Sequence, residues 1–188
     1  MLSPLSETPR ARSSGCGSAK RDLHLVFLGC GSIAAAHARR LASFPRVSCG
    51  FASRETARAA EFCRRLGGSA SYGSYAAALE AEEVDGVVIT TPTAQHLSLT
   101  LHALEAGKHV IVEKPAFLHS SDVARVEAAA SANKCRVFVA ENYAYKPLAG
   151  VLRDVIRSNA IGEVRYLTIN ALKCARRGGW RDDEVRGS

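Results

Sequence analysis

From residue 23 onward, short apolar runs alternate with amphipathic stretches, and this alternation predicts the architecture. LHLVFL (23–28), VSCGFA (47–52), DGVVITT (85–91), HVIVEK (109–114) and RVFVAENY (136–143) read as strands. Between them SIAAAHARRLASF, ETARAAEFCRRLG, SYAAALEAEE, AQHLSLTLHALEAGK and SDVARVEAAASANK repeat apolar positions at helical spacing. Gly67 with Gly68, and Gly107, stand where glycines close helices. The strands are continuously apolar, which implies burial on both faces. Regular β/α alternation of this kind predicts an α/β fold with a doubly wound parallel sheet, a Rossmann arrangement. In such a sheet ligands bind outside the carboxyl ends of the strands.

Three of those strand ends carry candidate chemistry. After the first strand, GCGSIA places Gly29, Gly31 and Ala34 in GxGxxA spacing, with Ser32 and Ile33 opening the helix. The first glycine permits the tight turn, the second lets backbone approach a pyrophosphate, and the small third residue lets helix pack on strand. A purely structural turn is the alternative reading. After the second strand a ribose-binding acid is expected, but FASRET presents Ser53 and Arg54 instead. An arginine there pairs with a 2′-phosphate, so NADP is favoured as cofactor, with NAD the alternative. Arg54 as a solvated residue near a helix start is the bland reading. The missing acid also argues against an S-adenosylmethionine-binding protein of the same fold. After HVIV, Glu113 and Lys114 emerge on the face where the site must lie, with Pro115 behind them.

Together, GCGSIA, ASR, TTPTAQH (90–96), EAGKHVIVEKP (105–115) and AENYAYKP (140–147) resemble, in order and spacing, the motifs of the glucose-fructose oxidoreductase, inositol dehydrogenase and rhizopine-catabolism (Gfo/Idh/MocA) family. The resemblance spans residues 23 to about 185, and AGKHVxxEKP is its specific element. It implies an NAD(P)-dependent oxidoreductase that transfers a hydride between nicotinamide and a sugar, cyclitol or related hydroxy or carbonyl compound. Lys114 then matches the active-site lysine, hydrogen-bonding the reacting oxygen. Glu113 lies near the nicotinamide ribose, and Pro115 fixes the lysine, with a cis bond as one means. Thr91, Pro92 and Thr93 match the loop under the nicotinamide. His96 fits the pattern as either a cofactor-adjacent or a loop-fixing residue. Tyr143 and Tyr145 are read as lining the cleft or packing between domains. The other histidines (24, 37, 102, 109, 119) show no pairing that suggests chemistry.

Composition adjusts this picture at the ends of the chain. The net charge is +7 over 188 residues, but residues 1–21 hold +3 of it and residues 173–188 hold +2. No basic stripe interleaved with aromatics runs through the body, which speaks against nucleic acid as a partner. No apolar run reaches the roughly 18 residues a membrane span needs. Six scattered cysteines without a CxxC pair read as free thiols in a reducing cytoplasm, with no metal site. Residues 1–22 read as a disordered Ser/Pro/Arg-rich tail, an organellar transit peptide being the alternative. Residues 23–146 are the expected dinucleotide-binding domain, and 147–188 the linking helix and first strand (IGEVRYLTINALK, 161–173) of an incomplete second α/β domain. The family's Asp and His helix, most substrate contacts and the oligomer interface belong to the remainder of that domain. The expectation is therefore a truncated chain that binds nucleotide without turnover, or else a stand-alone NADP-binding module.

Overall fold

The computed structural model describes residues 22–170. The expected tail at 1–21 and the stretch 171–188 lie outside the described residues. Six strands are present: β1 (Leu23–Leu28), β2 (Val47–Ala52), β3 (Ala70–Tyr72), β4 (Gly86–Ile89), β5 (His109–Val112) and β6 (Val137–Val139). Helices α1 (Ser32–Leu41), α2 (Thr56–Leu66), α3 (Tyr75–Glu80), α4 (His96–Glu105) and α5 (Ser121–Ala132) connect them, and α6 (Pro147–Arg157) follows. All strand pairs are parallel, in the order β3-β2-β1-β4-β5-β6. The doubly wound parallel sheet expected from the sequence is therefore the fold, and its order reverses between β1 and β4.

Alternate residues of each strand feed two cores. Leu25, Phe27, Phe51 and Val88 pack with Ala34, Ala35 and Ala38 of α1 and Phe62 of α2. Val26, Leu28, Val87, Ile89, Val110 and Val112 pack with residues of α3, α4 and α5. Phe27 stacks on Phe51 at 5.4 Å between ring centroids, and Phe62 meets Phe51 edge-on at 6.0 Å. Each such side chain, once fully buried, contributes roughly 1.5–3 kcal/mol, so the reversal point stands on the most heavily buried strands. Gly67 ends α2 in the left-handed conformation with φ 67°, as its position suggested.

The structure departs from the sequence-based expectation in the extent of several elements. β3 has no counterpart in the sequence pattern, because a three-residue edge strand with two half-buried residues flanking an exposed one leaves no periodic signal. The strands expected at 85–91, 109–114 and 136–143 are shorter, since each leaves the sheet where its neighbour's ladder ends and enters a loop. Lys108, part of the EAGKHV motif, is buried, and its Nζ donates to the carbonyls of Ala81 (2.7 Å) and Val84 (2.9 Å) just past α3, a bracing role away from the site. The backbone divides into two compact units between Glu141 and Asn142, the 3₁₀ turn Asn142–Tyr145 packing with α6.

In the second unit the expected helix is α6, with Pro147 at its start, where the missing N–H costs nothing. Residues 164–170, expected as the opening of a strand, are exposed and have no secondary structure. A strand needs a neighbour to satisfy its ladder, and these residues have none among the described residues.

Candidate functional site

The turn after β1 is built from backbone. Gly29 has φ 104°, and a Cβ there would lie 3.2 Å from the backbone of Thr90 and Thr91. Only glycine fits, because the loop after β4 is pressed against it. Thr90 Oγ1 reinforces the contact, bonding the carbonyls of Gly29 (3.0 Å) and Leu28 (3.2 Å). Gly31 has an ordinary extended backbone, and a Cβ there would meet nothing within 4 Å. The space in front of it is open, and α1 starts there with no acidic residue in its first turn and Arg39 and Arg40 in its last. Ser32 and Ile33 are exposed at that helix start, while Ala34 is buried against the sheet. The N-terminal amides of α1 are thus presented, unneutralised, to an anion.

Ser53 and Arg54 follow β2. Ser53 is buried and its Oγ accepts from the Glu55 amide, fixing the turn into α2, while Arg54 is exposed. The sequence reading missed Arg58, one helical turn further on, whose Nε donates to the Cys30 carbonyl at 3.0 Å. Tyr75 on α3 lies within electrostatic reach of both: burial pushes its phenol pKa up, and the two guanidiniums partly offset this. Burial likewise pushes the Cys30 thiol up to about 11, Arg58 partly opposing it, so this thiol stays protonated near neutrality. Two arginines at the start of one helix oppose its dipole, and that i, i+4 pair was the signal available in the sequence.

The turn after β5 is built from side chains. Glu113 N–H still donates to Ile89 O (3.0 Å), while its carboxylate accepts from the Lys114 backbone N–H (3.0 Å) and from His37 Nε2 (2.7 Å). His37, on α1, is therefore the partner of Glu113, a pairing that no local sequence pattern signals. Lys114 is exposed, with no hydrogen bond or ion pair to its ammonium among the described residues, and the Lys114–Pro115 bond is cis. His96 is 1% exposed, with Nδ1 3.0 Å from Pro115 O and Nε2 2.9 Å from Thr91 O. With both ring nitrogens on backbone carbonyls, it pins the β4 loop to the lysine turn. In that loop Thr91 is buried with its Oγ1 unpartnered among the described residues, and Pro92 and Thr93 follow nearer the surface. Tyr143 and Tyr145 belong to the second unit and are exposed, Tyr143 lying under the Lys146 ammonium at 3.8 Å.

These features fit a dinucleotide: an open glycine turn at a helix start, cations after β2, and an orphaned hydroxyl in the β4 loop. Comparison with known proteins gives the same class. Over 155 residues the chain is 36% identical to a dTDP-3,4-didehydro-2,6-dideoxy-alpha-D-glucose 3-reductase of Streptomyces violaceoruber, covering 79% of this chain and 44% of that one. A D-xylose 1-dehydrogenase (NADP(+)) of Hypocrea jecorina is 34% identical over 63% of this chain and 32% of its own length. A 3-ketoreductase from Actinomadura kijaniata, solved with NADP, superposes with a TM-score of 0.71 at 30% identity, over 77% of this chain and 47% of that one. The chain thus spans less than half the length of each of these relatives. No helix among the described residues is long and apolar enough to cross a membrane. Residues 23–141 match the model of the GFO/IDH/MocA oxidoreductase family, NAD-binding Rossmann fold, and the chain belongs to that family.

Proposed function

We propose that this chain binds NADP in preference to NAD and serves hydride transfer to or from a sugar, cyclitol or related hydroxy or carbonyl compound. The observation that carries this reading is that the carboxyl ends of β1, β2 and β5 carry the open Gly31 turn, the Arg54 and Arg58 cations, and a Lys114 ammonium without a hydrogen-bond or ion-pair partner among the described residues. The bound nicotinamide supplies or accepts the hydride. The amides of Gly31, Ser32 and Ile33 receive the pyrophosphate, and Gly29 and Ala34 hold the turn that aims them. Ser53, Arg54 and Arg58 meet the 2′-phosphate. Thr91, Pro92 and Thr93 form the floor beneath the nicotinamide, held by His96. Lys114 Nζ donates to the substrate oxygen and stabilises the charge that develops on it, with Glu113 ordering its backbone.

In this reading residues 23–146 form the dinucleotide-binding domain, and 147–188 open a second domain that would hold the substrate and any oligomer contact. Its setting is the cytoplasm, where the free thiols Cys30, Cys49, Cys63 and Cys135 remain reduced. Fluorescence titration with NADPH and NADH tests the proposal. Tighter NADPH binding is expected. Equal affinities would remove the NADP preference, and binding of neither would overturn the reading.

A further inference from the structure

We propose that His37 is a positioning residue: through Glu113 it ties the helix that receives the phosphates to the turn that carries Lys114, so that dinucleotide seating and lysine placement are coupled. The inference rests on the reading of the site given above, and its physical basis is a chain of short contacts. Glu113 N–H is the last amide of this segment to join the β4 ladder, donating to Ile89 O. The next amide, that of Lys114, has left the sheet and donates to the Glu113 carboxylate at 3.0 Å. A carboxylate bonding the amide of the next residue holds that amide only if its own rotamer is fixed, since its side chain otherwise samples several wells. His37 fixes it, with Nε2 2.7 Å from the other carboxylate oxygen. The Glu113 side chain is 15% exposed, so the carboxylate is largely withdrawn from water and depends on these two donors. As the acceptor is a carboxylate, Nε2 carries the imidazole proton.

His37 reaches this position because α1 begins at the glycine turn and lies against the sheet through Ala34, Ala35 and Ala38. It is a polar side chain beside an alanine-lined face, with its partner in the turn just past β5. A shift of α1 as phosphates engage its N-terminus would therefore be passed to the Lys114 backbone, and a misplaced Lys114 turn would loosen α1.

The test uses the full chain with His37→Leu, which keeps bulk and removes the donor, and His37→Gln, whose amide N–H has similar reach. Three quantities are measured: thermal unfolding, the Lys114 backbone amide in a ¹H–¹⁵N correlation spectrum without nucleotide, and the NADPH dissociation constant. In folded His37→Leu the Lys114 amide proton is expected to move upfield and NADPH binding to weaken roughly tenfold, the scale of one hydrogen bond to a charged group. His37→Gln should restore both, and His37→Leu added to Glu113→Ala should change neither further. An unmoved Lys114 amide, an effect of His37→Leu that persists without Glu113, or failure of the Gln variant would each overturn the proposal. Should His37→Leu not fold, Glu113→Ala alone must reproduce both effects, and its failure to do so would be equally decisive. If the wild-type chain bound neither nucleotide, the dinucleotide reading would fall with its coupling, while the amide shift would still decide whether His37 holds the Lys114 turn.

Discussion

The turns after β1 and β5 both leave the carboxyl ends of inner strands, yet they are made by opposite means. At the first, side chains are absent where they matter: Gly29 has φ 104° with backbone packed 3.2 Å from its missing Cβ, and Gly31 opens onto empty space. At the second, Glu113, His37 and His96 hold a backbone segment from outside while Lys114 stays unengaged. On the proposed reading, the difference follows from what each turn would meet. A pyrophosphate is recognised by bare amides at a helix start, whereas a reacting oxygen needs one mobile charge delivered from a fixed base.

The comparison is broken most severely at Gly29. Gly29→Val places a branched residue in a glycine conformation, a strain of about 1–3 kcal/mol before the clash with the Thr90 backbone is added. Both thermal stability and NADPH binding should fall, and an unchanged melting temperature would show that the loop after β4 yields freely. Gly31→Val separates the two roles, because its backbone is unstrained and its Cβ meets nothing. The melting temperature should hold while NADPH binding weakens by roughly a hundredfold or more, about 2.7 kcal/mol. Retained binding in that folded variant would reduce the turn to a structural one.

The arginines give a smaller effect, of a kind that sharpens the contrast. Arg54→Ala should weaken NADPH by on the order of tenfold and leave NADH alone, since an exposed charge contact is screened. Arg58→Ala should weaken both nucleotides, because its Nε also holds the Cys30 carbonyl of the glycine turn. Indistinguishable profiles for the two variants would mean that the Arg58 contact does not support the loop. The smallest effect is expected at Lys114. As an exposed side chain without a polar partner among the described residues, its replacement by alanine should change stability by no more than about 0.5 kcal/mol and leave NADPH affinity near wild type. A large loss of stability would assign Lys114 a structural role.

The strand ends were legible because their information is local. A glycine turn and an apolar run interrupted by Glu113 and Lys114 are patterns within a few consecutive residues, and the parallel sheet follows from β/α alternation. Arg54 was visible as a substitution for an expected acid. Arg58, Thr90 and His37 were not singled out, since each acts on a residue brought near by crossover connections: Cys30, Gly29 and Glu113 respectively. His96 was left between two roles for the same reason, as both its carbonyl partners lie outside its own helix.

The sequence alone therefore determined the class of fold, the order of its elements and the strand ends that carry the candidate residues, because hydrophobic period and turn chemistry are short-range properties of the chain. Tertiary structure alone decided the strand order β3-β2-β1-β4-β5-β6, the edge strand β3, and which side chains brace which loops. Those outcomes depend on residues far apart in sequence coming within hydrogen-bonding reach. His37 on α1 and Glu113 just past β5, 76 positions apart and 2.7 Å from each other, meet only through the way the chain folds between them.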